Sequence, residues 1–152
     1  MKESKKNGFT LIEILVVVGI ILILSSVGLS IASSVTTRGK KSNSRSDIAR
    51  LEMAVQSYAN DFNAYPPNIT NAQLVNLLTN TAVFINNPRW QGPYLQFDEN
   101  DIVGGQFVDG WKNPYQYRTG GNNSTFCDIY SFGEDEVNNN GAGDDINNWT
   151  RQ

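Results

Sequence analysis

Read for where apolar and polar side chains fall, the chain divides into three stretches. From Ile14 to Thr37 there are 24 consecutive residues without a charged side chain, and their core, ILVVVGIILILSSVGLSIA, is almost wholly aliphatic. A hydrocarbon layer about 30 Å thick needs about 20 helical residues, which this run supplies. A helix buried in a water-soluble protein seldom runs so far without a polar face, so the membrane reading is preferred. Beyond it, Ile48, Leu51, Val55, Tyr58 and Phe62 recur at steps of three and four, among Arg45, Asp47, Arg50 and Glu52. That spacing lays one apolar stripe along a helix. No proline lies between Phe9 and Phe62, so one continuous helix is expected, about 80 Å long at 1.5 Å per residue. Pro66-Pro67 ends it, because proline supplies no helical N–H.

The third stretch has a different texture. Asn71 to Phe84 predicts a short helix carrying Leu74, Leu77 and Leu78. After Pro88, aromatic and β-branched runs (YLQF, PYQYR, TFCDIYSF) alternate with Gly, Asn, Asp and Pro. They predict a small antiparallel sheet turning at Gly104-Gly105 and Gly120-Gly121. The segment NNNGAGDDINNW has no hydrophobic period, so something other than a core must order it.

Composition narrows the chemistry. The 152 residues hold no histidine and one cysteine, Cys127. Histidine-based triads and zinc sites are thereby excluded, as are an intrachain disulfide and a Cys-rich metal site. There is no G-x-S-x-G and no glycine-rich phosphate loop, so an enzyme is the least favoured class. A net charge of −3 leaves no basic footprint for nucleic acid. The charge is unevenly placed: residues 60–152 hold four basic and eleven acidic side chains, a net −7. The head MKESKKNG resembles the basic start of a secretory signal, but the apolar run is longer than the roughly 7–15 residues of such a signal. Arg38, Lys40 and Lys41 balance the basic head, so charge alone leaves orientation near a tie.

Two motifs together carry a family resemblance. Gly8-Phe9-Thr10-Leu11-Ile12-Glu13 stands directly before the apolar run and resembles the class III signal of type IV pilins and of the pseudopilins of type II secretion. The resemblance implies that a prepilin peptidase cuts between Gly8 and Phe9 and methylates Phe9. It also implies that Glu13 meets the free N-terminal amine of a neighbouring subunit. A carboxylate at the edge of a membrane helix is costly and marks function by default. The second motif comprises Trp90-Gln91-Gly92-Pro93-Tyr94-Leu95 and Asp109-Gly110-Trp111-Lys112-Asn113-Pro114-Tyr115. With Tyr130-Ser131-Phe132-Gly133-Glu134-Asp135 and Asp144-Asp145-Ile146, these are similar to the major pseudopilin family of type II secretion.

The resemblance implies an α+β, type IV pilin-like fold: a long N-terminal helix, its first half transmembrane, packed on a small antiparallel β-sheet with a calcium-binding C-terminal loop. The expected divisions are a leader at 1–8, a transmembrane assembly helix at 9–37, its amphipathic continuation at 38–65 and a periplasmic domain at 66–152. Calcium ligands carried over from the family are the side chains of Asp135 and Asp145, carbonyls of Phe132 and Val137, and Asn140. An all-oxygen set suits a hard cation, and the spacing is not that of an EF-hand. Glu134, Asp135, Glu136, Asp144 and Asp145 also repel one another unless something screens them.

One feature departs from the family: the helix proline near the twenty-second mature position is absent, with Ser30 there and Gly28 nearby. Cys127 is expected to be a small buried apolar residue. The aromatic residues Trp90, Tyr94, Trp111, Tyr115 and Tyr117 are expected to pack in a core rather than bind a ligand.

The function implied is structural: a subunit of the inner membrane that polymerises into a helical pseudopilus and drives export of folded proteins. Implied partners are further copies of itself, minor pseudopilins, the inner-membrane assembly platform, the prepilin peptidase and membrane lipid, with no nucleic acid. Two alternatives stand beside it, the major pilin of a type IV or DNA-uptake pilus and a monomeric membrane-anchored calcium module.

Overall fold

The computed structural model describes residues 8–84, 86–121, 123 and 126–150; the side chains of 26–33, 83 and 99 lie outside that description. The leader positions 1–7 fall outside it too. Contacts divide the chain into two units, up to Thr37 and from Arg38 onward.

Helix α1 (Leu11–Phe62) runs through both. In the first unit it opens with a reciprocal cap. Glu13 N donates to Thr10 Oγ1 at 3.3 Å, while the Glu13 carboxylate accepts from Thr10 N and Thr10 Oγ1, each at 2.7 Å. That satisfies helix-start N–H groups that have no intrahelical partner. The aliphatic side chains from Leu11 to Leu24 that follow are uncovered. Among the described residues, no helix is long and apolar enough to cross a membrane.

In the second unit α1 turns the expected stripe inward, burying Ile48, Leu51 and Val55 together with Ala54. The helix stops at Phe62, and Asn63 takes a left-handed φ of 55°. Asparagine is the non-glycine residue that most readily adopts this helix-ending conformation. Helix α2 (Asn71–Thr79) starts on a capping box between Thr70 and Gln73 and buries Leu74 and Leu78. It is shorter than the sequence predicts, giving way to a 3₁₀ turn over Thr81–Val83.

A second 3₁₀ turn, Glu99–Asp101, precedes a hairpin of β1 (Ile102–Val103) and β2 (Gln106–Phe107). Gly104 and Gly105 both have positive φ at its tip, the geometry that a two-residue turn requires. β3 (Gln116–Thr119), β4 (Cys127–Ser131) and β5 (Ile146–Asn147) form an antiparallel sheet with β4 in the centre. Every residue of β4 is buried. Cys127 and Ile129 join the helix-facing core, while Tyr130 on the other face meets Trp149 with ring centroids 6.1 Å apart.

The run YLQF, expected as a strand, is not one. Its amide and carbonyl groups go elsewhere: Tyr94 N donates to Leu78 O at 2.9 Å, and Gln96 O accepts from Arg50 at 2.6 Å. Leu95 is buried all the same. Among the aromatics, Tyr115 and Tyr117 are buried in the core, and Tyr94 and Trp111 pack against it. Burial pushes the Cys127 thiol up to about 12, as befits an inert apolar residue.

Candidate functional site

Two places carry the candidate chemistry. The first is the start of α1. Gly8, Phe9 and Thr10 lie ahead of the helix, outside any regular element, and all three are exposed. Glu13 does not point into an empty environment: its carboxylate holds its own Thr10. Any bond to a neighbouring subunit's amine would therefore compete with, or add to, this cap.

The second place is the connection between β4 and β5, residues 132–145. Its ends are fixed by pairing of Ser131 with Ile146 and Tyr130 with Asn147. Asp144 Oδ2 accepts from Glu134 N at 2.7 Å and Asp135 N at 2.9 Å. Asp135 Oδ1 accepts from Val137 N at 2.8 Å. Asp145 Oδ2 accepts from Asn139 N at 3.1 Å and Gly141 N at 2.7 Å. Each aspartate therefore folds the backbone around itself, the habit that makes Asp a turn residue. At Gly133, with φ +74°, a β-carbon would collide with the Asp144 carbonyl, so only glycine fits there.

Electrostatics separates the two neighbouring aspartates. Desolvation acts to raise the Asp144 pKa, but the amides of Asp135 and Glu134 outweigh it and hold the group below the usual range. Asp145 is pushed up by burial first, against the pull of the Gly141 and Asn139 amides, with Asp144 and Asp135 adding repulsion. Only 3% of Asp145 is exposed, and its Oδ1 is buried with no hydrogen-bond partner. A buried acceptor left unsatisfied costs about 1–3 kcal/mol, more when charged.

The expected ligands are thus brought to one loop, but not all alike. Asn140 has φ 54° and turns its side-chain oxygen to the Arg118 guanidinium at 3.5 Å. Asn139, which the sequence did not mark, bridges Asp135 Oδ2 and Val137 O with its side-chain amide at 3.5 and 3.3 Å. Among the described residues, no group of three or more His, Cys, Asp or Glu side chains gathers at one point. A cation would therefore rest on two carboxylates completed by carbonyl oxygens, a set calcium accepts. The orphaned Asp145 Oδ1 fits that need. Part of the expected repulsion is answered within the chain, since Lys41 pairs with Glu134 at 3.2 Å and amides hold Asp135 and Asp144.

Sequence reasoning also missed the buried polar residues Asp109, Ser131 and Ser44. Asp109 Oδ1 accepts from Trp111 N and Asn113 N, each at 2.9 Å. An Asp opening D-G-W-K-N is a recognisable turn signal, but nothing in the string marks it as buried.

Comparison with known proteins covers both places. The family model "Type II secretion system (T2SS), protein G" matches residues 32–149, and "Prokaryotic N-terminal methylation motif" matches residues 4–29. Type II secretion system core protein G of Aeromonas hydrophila is 32% identical over 149 residues, covering 98% of this chain and 96% of that protein. The protein of the same name from Vibrio cholerae is 32% identical over 152 residues, covering 99% and 97%. A solved structure, the major pseudopilin from the type 2 secretion system of enterohaemorrhagic Escherichia coli, is 26% identical with a TM-score of 0.44, over 74% of this chain and 88% of that one. With a family match across most of its length and full-length relatives at this identity, the chain belongs to the type II secretion system protein G family.

Proposed function

We propose that this chain is the major pseudopilin subunit of a type II secretion system: a building block, not an enzyme, that polymerises into the filament driving export of folded proteins. The observation that carries the proposal is the order of parts at the start of α1. A methylation motif and a capped glutamate lead directly into uncovered aliphatic side chains, from Leu11 at 83% exposure to Leu24 at 67%. So much exposed apolar surface must be covered by lipid or by other subunits. The relatives matched over nearly the full chain are named for secretion, which sets the pilus alternative aside.

The finer reading follows. Residues 9–37 anchor the chain in the inner membrane, where the charge-free run from Ile14 to Thr37 exceeds the length a bilayer needs. The acidic domain then lies in the periplasm. Residues 1–8 are the leader, removed between Gly8 and Phe9. Subunits join head to tail through their apolar helices, a heterologous contact that builds open helices. Calcium binds the β4–β5 loop through Asp135 and Asp145 with carbonyls of Phe132 and Val137, and supplies the charge that this loop lacks. The orphaned Asp145 Oδ1 supports that assignment.

Coexpression with a prepilin peptidase tests the reading. Mass spectrometry of the purified chain should find it beginning at a methylated Phe9. Glu13→Ala should be processed yet form no filaments. An intact, unmethylated N-terminus, or normal filaments from the variant, would overturn the proposal.

A further inference from the structure

A buried polar strut ties the start of the β4–β5 loop to helix α1. Asp109 is 3% exposed, and Ser44 and Ser131 are fully buried. Asp109 uses Oδ1 to close its own turn on Trp111 N and Asn113 N, while its backbone N donates to Asn113 O at 2.9 Å. The other oxygen, Oδ2, accepts the Ser131 hydroxyl at 2.5 Å. Ser131 Oγ in turn accepts from Gly133 N at 3.1 Å. The turn itself seats on α1: Gly110 N donates to Ser44 Oγ at 3.4 Å, and Gly110 packs so close to Lys40 that a β-carbon would have to displace it.

The direction of these bonds matters. A hydroxyl that donates to a carboxylate becomes a stronger acceptor, so Asp109 strengthens the hold of Ser131 on Gly133. Gly133 also has no room for a β-carbon, which would run into the Asp144 carbonyl oxygen, so the backbone here is packed closely against the far end of the loop. Two residues on, Asp135 N bonds Asp144 Oδ2.

We propose that Asp109 is a positioning residue for the loop 132–145. Through Ser131 it fixes Gly133, so the loop is preorganised from the turn on α1 before any ion arrives. The inference deepens the reading of this loop as a metal site and rests on it only for the consequence in calcium affinity.

Two variants separate the parts. In Asp109→Asn the remaining oxygen is needed by Trp111 and Asn113, so the new amide faces Ser131 as a donor and the relay loses its direction. Ser131→Ala leaves the turn intact and removes the link to Gly133. Hydrogen exchange is read by mass spectrometry on the full chain in detergent with EGTA. Exchange in the segment 132–137 should quicken by roughly 10-fold in both variants, the scale of one hydrogen bond to a charged group. Segment 51–58 of α1 should keep its rate. Calorimetric titration with calcium chloride should then show weaker binding in both variants.

Unchanged exchange at 132–137 in both variants would overturn the proposal. Equal quickening along the entire chain in both would also do so, reducing Asp109 to an ordinary core residue. A wild-type chain that takes up no calcium defeats the metal reading alone, because exchange in EGTA decides the positioning role separately.

Discussion

Asp47 shows how α1 meets the sheet domain through one carboxylate. Its Oδ2 accepts the Tyr115 hydroxyl at 3.1 Å, and its Oδ1 accepts from Arg50 at 3.0 Å. Burial raises its pKa from 3.8, and repulsion from Asp101 adds to it; together they outweigh Tyr115 and Arg50. The folded state therefore binds this proton more tightly than the unfolded chain does. The stability so contributed is complete below 3.8 and is lost as pH rises through the folded-state value. Asp47→Asn keeps an acceptor for Tyr115 and removes that loss. Urea unfolding of the two proteins between about pH 3 and pH 6 should show the variant gaining on wild type as pH rises. A difference that stays level across the range would show that Asp47 titrates alike in both states. Tyr115 responds to the same surroundings, its hydroxyl raised far above its ordinary value, chiefly by burial.

The elements depend on a few such side chains as much as on their own periodicity. Asn71, the first residue of α2, donates to Phe107 O at 3.0 Å and Tyr115 O at 2.7 Å, and accepts from Phe107 N at 2.7 Å. It thereby sews α2 to β2 and to the approach to β3. Asn71→Ala should cost about 2–3 kcal/mol, since it strands partly buried backbone groups. Asn71→Asp should cost more, because it sets a carboxylate against two carbonyls. Thermal unfolding followed by circular dichroism checks the order, and an aspartate variant as stable as wild type would contradict it.

The stripe Ile48, Leu51, Val55 was legible because helical periodicity persists over many residues. The glycine pair at 104–105 was legible because only such residues make that turn. YLQF was misread because its composition is that of a strand, while its partners, Leu78 and Arg50, lie far off in sequence. At two residues each, β1, β2 and β5 are too short to show an alternation. The same limit governs the loop: clustered aspartates announce themselves, whereas Asp109 and Ser131, single polar residues among apolar ones, do not reveal their burial.

The two candidate sites fall in different units of the chain, and the function proposed above gives them separable roles. Glu13 lies in the first unit, and its hydrogen bonds are to Thr10 beside it. Asp145 lies in the second, in a domain whose residues 60–152 carry a net −7. In the function proposed above, both carboxylates take a positive partner, an amine in one case and a cation in the other. Trp90, Trp111 and Trp149, the three tryptophans of the chain, all fall in the second unit, so intrinsic fluorescence reports on that domain alone. With calcium present at about 100 times its dissociation constant, binding to the folded state should add about 2.7 kcal/mol. The fluorescence melting temperature should rise accordingly and fall back with EGTA.

Glu13→Ala should retain that full calcium shift while filament yield collapses. Asp145→Asn should lose the shift while Phe9 is still processed, because the proposed cleavage site lies in the other unit. If Glu13→Ala abolished the calcium shift, or Asp145→Asn blocked processing, assembly and metal binding would be one coupled device. The local bonds of Glu13 and the orphaned oxygen of Asp145 argue for two.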